Sequence, residues 1–288
     1  MEFYERTSQN KIRCLLCGHY CNISKDRTGI CGVNKNTGEK IECLVYGYPN
    51  AMHIDPVEKK PLYHFLPGTN TFSIGTVGCN FHCSFCQNWQ LSQTHNIDKS
   101  KYFSPKNIVD LSIHYECESI SYTYNEPTIF FPYIKDIALL AHEKGLKNIM
   151  VSNGFESKEV RESMVGLIDA ANIDLKSFNE KYYKKNLGGK LEVILDNLKF
   201  FVQNGIHIEV TTLIVPTQND SDEELNAIAS FIAEELNTDI PWHISAFHPD
   251  YKELELPRTP LDTLLHAKSI GKSYDLKNIH LGNVGGLL

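Results

Sequence analysis

The stretch TFSIGTVGCNFHCSFCQNW, residues 71–89, decides how the chain is read. Its first seven residues are β-branched, aromatic or small and predict a strand. Three cysteines follow at once, Cys79, Cys83 and Cys86, spaced C-x3-C-x2-C. Three thiolates this close together can wrap one face of a cubane [4Fe–4S] cluster and leave its fourth iron open. An open position marks a reactive centre, by the logic that separates catalytic from structural zinc. Zinc held by the three thiolates and His82 is the rival reading of the same loop.

Working outward, strand and helix patterns alternate. Ser104 and Pro105 form a helix cap and first turn, with Ile108, Leu111 and Tyr115 on the apolar face. SISYTY (119–124) reads as a strand. Residues 132–144 read as a helix stopped by Gly145. Further strands are predicted at 148–151, 170–175, 207–215 and 242–247, with a short one near 278–281. Between them, helices are predicted after Ser157, over 191–204, after Ser221 (a capping box with Glu224) and near 260–272. Such alternation implies parallel βαβ units. Six units fall short of the usual eight. The expected fold is α/β, a partial (β/α)6 TIM-like barrel over 69–288, preceded by a small Cys-rich, loop-rich module over 1–68.

The 288 residues carry a net charge of −7, which argues against a nucleic-acid backbone as partner. The N-terminus shows no signal-peptide pattern and no apolar run is long enough to span a bilayer, so no membrane partner and a cytoplasmic location are expected. In that reducing compartment nine cysteines are not expected to pair as disulfides. Four fall in 14–31 and three in 79–86, and such clustering reads as metal ligation. Cys43 and Cys117 stand alone and read as small buried hydrophobes.

The cysteine spacing, the aromatic Phe85 before the last cysteine and the following β/α repeats resemble the radical S-adenosylmethionine (SAM) superfamily. The resemblance implies that the open iron chelates the amino and carboxylate groups of SAM. It also implies that an electron from the cluster cleaves SAM to a 5′-deoxyadenosyl radical, which abstracts hydrogen from a substrate. Cys79, Cys83 and Cys86 would be the catalytic and metal-binding residues, and Phe85 would lie against the cofactor.

In β/α barrels function collects at the C-terminal ends of strands. TYNEP places Glu126 where the superfamily has Gly-Gly-Glu-Pro, and implies that Glu126 accepts from the SAM amino group. Ser152, Asn153 and Gly154 resemble the Thr-Asn-Gly turn of activating enzymes for pyruvate formate-lyase. Asp174, Leu175 and Lys176 match their Asp-Leu-Lys, where the Asp helps bind a monovalent cation; Asp174 and Ser152 are the candidates for it here. His248 matches a His that touches SAM. Read singly, each is a solvated or capping residue. In family order at successive strand ends they read as cofactor-binding: Glu126, Ser152, Asn153, Asp174, Lys176 and His248.

Cys14, Cys17, Cys21 and Cys31 are spaced C-x2-C-x3-C-x9-C, a complete ligand set. Structural zinc and a second Fe–S cluster both fit it. Together with TYNEP, this placement resembles the activase-like AmmeMemoRadiSam clade, over about residues 12–281. The resemblance implies SAM, an electron donor such as flavodoxin or ferredoxin, and a protein substrate offering a glycyl residue. The alternatives from other classes are a non-catalytic iron–sulfur electron carrier and a zinc-stapled binding module.

Overall fold

Parallel sheets covered on both faces need strands that are apolar throughout. Residues 71–75 are all buried, and so are all four residues 119–122. The structure, a computed structural model, describes residues 3–7 and 11–285. Its main sheet has eight strands. In order they are β6 (Ala51–Pro56), β7 (Asn70–Gly75), β8 (Ser119–Tyr122), β9 (Lys147–Ser152), β10 (Ala170–Asp174), β11 (His207–Ile214), β12 (Trp242–Ala246) and β13 (Ile279–Gly282). Strands β7 to β13 run parallel in sequence order, as a partial barrel requires. Their long crossovers carry the helices Pro105–His114, Phe131–Glu143, Lys158–Met164, Leu191–Gln203, Asp222–Ser230 and Leu261–Ser273.

Helix starts follow the chemistry of their caps. Ser104, Ser157 and Ser221 accept from the backbone N–H three residues on, at 3.2, 3.1 and 3.3 Å. The box predicted at Ser221 forms by half. The Glu224 carboxylate turns instead to the Ser177 hydroxyl and the Phe178 N–H, donors left over where the chain leaves β10. Tyr115, expected on the apolar face, lies just past its helix and is 47% exposed, its ring stacked on Phe72.

The sheet begins earlier than predicted. Strand β6, inside the stretch 1–68, pairs antiparallel with β7 from Ala51↔Gly75 to Pro56↔Asn70. An uncovered edge on β7 would leave a row of backbone donors and acceptors unpaired, and β6 covers it. Residues 57–65 then pass beneath the barrel. Val57 and Leu62 pack with Ile149 and Ala170. Asn172 Nδ2 donates to the Pro61 carbonyl at 2.7 Å. The Tyr63 and His64 N–H groups donate to the Glu209 carboxylate at 3.0 and 2.8 Å. Tyr63 also packs on His243 and His280. Every one of these partners lies in the first three residues of its strand, so 57–65 closes the N-terminal end of the barrel.

Ahead of β6 lie a three-stranded antiparallel sheet, β1 (Tyr4–Arg6), β2 (Lys11–Cys14) and β3 (Asn22–Ser24), and a hairpin, β4 (Asn34–Asn36) with β5 (Ile41–Cys43). This region is fastened to the loop after β9. Gly18 N–H donates to the Phe155 carbonyl at 2.9 Å, and Ser157 Oγ to that of Leu15 at 2.6 Å. Among the described residues no helix is long and apolar enough to cross a membrane.

Candidate active site

The loop after β7 carries Cys79, Cys83 and Cys86 to the C-terminal end of the barrel. They line a cavity of about 430 Å³ together with Phe85, Glu126, Ser152, Asn153, Asp174 and Lys176. Nine of the ten predicted catalytic and cofactor-binding positions therefore share one cavity. The tenth, His248, is exposed and lies outside it. Phe247 before it is buried and pinned on both sides, its N–H on Thr259 Oγ1 at 2.8 Å and its carbonyl taking the Thr259 N–H at 3.0 Å. With Phe247 held inward, the chain turns His248 to solvent. A wider cleft of about 590 Å³, lined by Tyr46, Tyr48, Tyr102 and Asp136 among others, holds none of the predicted strand-end residues.

Glu126 is 3% exposed and accepts four hydrogen bonds. Thr128 N–H, Thr128 Oγ1 and Ser152 Oγ donate at 3.0, 2.6 and 2.9 Å, and the Asn153 N–H at 2.8 Å. Burial pushes its carboxyl up against the opposing pull of those donors. Glu156, which the sequence reading did not single out, lies beneath. Burial and the neighbouring Glu126 push it up to about 7. The Ser152 oxygen is 2.9 Å from Glu126 and 2.5 Å from Glu156, yet a hydroxyl has one proton. A protonated Glu156 donating to Ser152, which in turn donates to Glu126, satisfies all three.

Each residue expected to hold a monovalent cation already has a partner. Ser152 is held between the two glutamates, and Asp174 accepts from Lys176 Nζ at 2.7 Å. Burial lowers the Lys176 ammonium, but the Asp174 carboxylate, joined by Cys83 when it is ionised, outweighs it and holds it above its ordinary value. The counter-ion of Asp174 is thus supplied by the chain itself.

Of the two residues standing where the superfamily motif has glycines, Tyr124 keeps a glycine-like backbone. Tyr124 adopts φ 71°, in the left-handed region. That conformation costs a side-chain-bearing residue about 1–2 kcal/mol. Its hydroxyl donates to Asp55 Oδ2 at 2.7 Å, and Lys60 Nζ sits 4.7 Å from its ring centroid. Asn125 takes the Thr76 N–H on Oδ1 at 2.9 Å and donates to the Gly78 carbonyl at 2.9 Å, bracing the cysteine loop. Gly154 is required where it stands, at φ 74°; a Cβ there would meet Ile173 Cγ2 at 2.8 Å.

The residues present fit an iron–sulfur group with SAM. Burial pushes Cys83 up to about 12 and Cys79 well above a thiol's ordinary value. Such thiols become thiolates only against a strong positive charge such as ligated iron. Gln87 Nε2 and Thr211 Oγ1, on residues lining the same cavity, are buried without a hydrogen-bond partner, as is Asn80 Nδ2 next to Cys79. Among the described residues no three Cys, His, Asp or Glu side chains stand as a ready single-ion site, and a cubane spaces its thiolates more widely than one ion does. In the N-terminal region Cys14, Cys17 and Cys31 are buried and Cys21 half-buried. Burial first, and their mutual proximity next, raise Cys14, Cys17 and Cys21. Cys43, expected to be an isolated hydrophobe, lies close enough to feel Cys31 and Cys14.

The comparisons with known proteins agree with this geometry. The profile of the Radical SAM superfamily matches residues 73–232. An uncharacterized protein of Methanocaldococcus jannaschii is 41% identical over 286 residues, 99% of this chain and 85% of the relative. The pyruvate formate-lyase-activating enzyme of Clostridium pasteurianum is 22% identical over 189 residues, 62% of this chain and 77% of that enzyme. Among solved structures, a radical SAM methyltransferase from Sphaerobacter thermophilus superposes with a TM-score of 0.58 at 11% identity, covering 75% of this chain and 67% of that one. A domain of pyruvate-formate lyase-activating enzyme from Bacteroides vulgatus gives 0.51 at 15% identity, covering 57% and 99%. With its cysteine loop at the mouth of a partial barrel and more than half its length matched by the family profile, the chain belongs to the radical SAM superfamily.

Proposed function

We propose that the protein is a radical SAM enzyme whose [4Fe–4S] cluster is held by Cys79, Cys83 and Cys86, and that it abstracts hydrogen from a substrate. The observation that carries this reading is the single cavity shared by the three thiols and the polar ends of β8, β9 and β10. When bound, the cluster supplies the electron that cleaves SAM and frees the 5′-deoxyadenosyl radical. The chain's own residues bind and orient. Glu126 accepts the SAM ammonium in place of the Thr128 hydroxyl, which can turn to Glu156 Oε1, 3.3 Å away. Asn153 Nδ2, now on Asn80 Oδ1 at 2.8 Å, ties the SAM-binding turn to the cysteine loop. Lys176, fixed by Asp174, sets a positive charge beside Cys83. The segment 57–65 seals the barrel base and keeps solvent from the radical.

Similarity to a relative named as a putative glycyl-radical enzyme activating enzyme, and to the pyruvate formate-lyase-activating enzyme, supports a glycyl residue of a partner protein as the substrate. An electron donor such as flavodoxin or ferredoxin belongs to the same proposal. The N-terminal Cys14, Cys17, Cys21 and Cys31 form a second metal site, of zinc or of iron and sulfide. A cytoplasmic location belongs to the same proposal, since a reducing compartment keeps ligand cysteines from pairing as disulfides.

The test is anaerobic incubation of the reconstituted protein with SAM and dithionite, followed by chromatography for 5′-deoxyadenosine. It should form, and vanish in Cys83→Ala. Formation that persists in Cys83→Ala would sink the assignment. None formed over an intact, reducible cluster would favour an electron carrier.

A further inference from the structure

Lys60 reaches into the same cavity from the segment that closes the barrel base. It is 2% exposed, and among the described residues its ammonium makes one hydrogen bond, to Asp55 Oδ2 at 2.5 Å. An ammonium carries three N–H donors. Asp55 has little more to give: Oδ1 takes Lys59 Nζ at 2.8 Å and Oδ2 also takes the Tyr124 hydroxyl. One carboxylate thus serves two ammonium groups, and Lys60 keeps N–H donors that Asp55 does not take. The other acids lining the cavity have partners of their own, Glu126 four neutral donors and Asp174 the Lys176 ammonium, so neither takes up the spare N–H groups of Lys60. The Tyr124 ring, on its left-handed backbone, lies against the Lys60 ammonium and holds it in place. A buried cation with spare donors is poorly tolerated unless a partner meets it. Lys59, two-thirds exposed at its side chain, also lines the cavity and shares Asp55 with Lys60.

We propose that Lys60, with Lys59 beside it, is a substrate subsite for an oxyanion, a carboxylate or phosphate group on the molecule from which hydrogen is taken. The subsite rests on the reading of this cavity as the SAM and substrate site. The spare N–H groups of Lys60 donate to the anion, and Asp55 and Tyr124 hold the lysine in place.

Calorimetric titration of the reconstituted, SAM-loaded protein with glutarate, inorganic phosphate and neutral glutaramide tests this. One of the two anions should bind at least about tenfold more tightly than glutaramide, because a site built around a charged donor rejects the analogue that cannot answer it. The tighter anion identifies the group. Lys60→Met should lower that anion to the level of glutaramide, and Lys60→Arg should restore part of the preference. Should Lys60→Met not fold because Asp55 is stranded, the double variant Asp55→Asn, Lys60→Met removes both ends of the pair and should show the same loss. Equal binding of all three probes to the unaltered protein, or a preference that survives loss of Lys60, would overturn the subsite. 5′-Deoxyadenosine formation by the unaltered protein reports on the underlying reading. Its absence would sink that reading whatever the anions do, and its presence without anion preference would sink the subsite alone.

Discussion

The Nε2–H of His19 donates to the carbonyl of Asn80, 2.9 Å away. His19 lies between Cys17 and Cys21, and Asn80 directly follows Cys79, so one hydrogen bond joins the two cysteine regions. Asn80 is itself held by Asn153, and the loop after β9 pairs back onto Cys17 through Glu156. Replacing His19 by Ala strands the carbonyl of the buried Asn80. We expect a loss of about 1 kcal/mol in denaturant unfolding and faster amide exchange across residues 80–83. Unchanged exchange there would mean that the N-terminal region does not brace the loop.

Glu209 gathers four donors at the barrel base: the Tyr63 and His64 N–H groups, His207 Nε2 at 3.1 Å and His243 Nε2 at 2.6 Å. Burial pushes its carboxyl up, but these donors outweigh burial and hold it well below its ordinary value of 4.5. A depressed carboxyl contributes stability that is full above the unfolded value and is lost as pH falls through the folded one. Stability should therefore decline as pH drops below 4.5, and Glu209→Gln should flatten that limb. At neutral pH the variant should lose about 3 kcal/mol, as when one partner of a buried charged set is removed. Denaturant melts from pH 3 to pH 7 would measure both, and an acid limb of undiminished slope in the variant would refute the linkage.

Tyr124 combines an unfavourable backbone with a favourable hydroxyl bond. Tyr124→Phe removes the bond to Asp55 and leaves the backbone, so it should destabilise by about 1 kcal/mol. Tyr124→Gly also removes the left-handed strain, and should be the more stable of the two variants in spite of losing the ring. Thermal melts of the pair decide it; the reverse order would mean that packing of the ring outweighs the strain.

Metal analysis separates the two readings of the N-terminal cysteines. About one zinc beside four irons per chain assigns a zinc staple, and about eight irons without zinc assign a second cluster. Cys17→Ser should deplete the N-terminal metal alone and lower the melting temperature, because the short strands β1 to β5 bury little core of their own. Depletion of all the iron would mean that the two sites assemble together.

The residues that carry local signals were legible from the chain alone. Cys79, Cys83 and Cys86 are separated by two or three residues, and a loop that short keeps them together in any fold. Strand ends such as Glu126, Asn153 and Asp174 could be placed because buried parallel strands are runs of apolar residues bounded by polar ones. The capping serines 104, 157 and 221 were equally visible, since a cap needs only the next turn of backbone.

What the tertiary structure alone decided are contacts between residues far apart in sequence. Glu156 beside Thr128, Asp55 beneath Tyr124, and Glu209 with His243 bear no short-range pattern, because each is an ordinary polar residue until folding removes its water and leaves it only the partners the fold brings. The antiparallel edge strand β6 was hidden among turn-rich residues, since only the free edge of β7 gives it a reason to pair. His248 sits at a strand end like its neighbours in the motif, yet Thr259 pins Phe247 inward and turns the histidine to solvent. The sequence by itself determined the cysteine loop and the succession of strands, which depend on local covalent spacing. The closed base, the charged wall at Lys60 and the exclusion of His248 came from packing, where burial fixes which distant groups must satisfy one another.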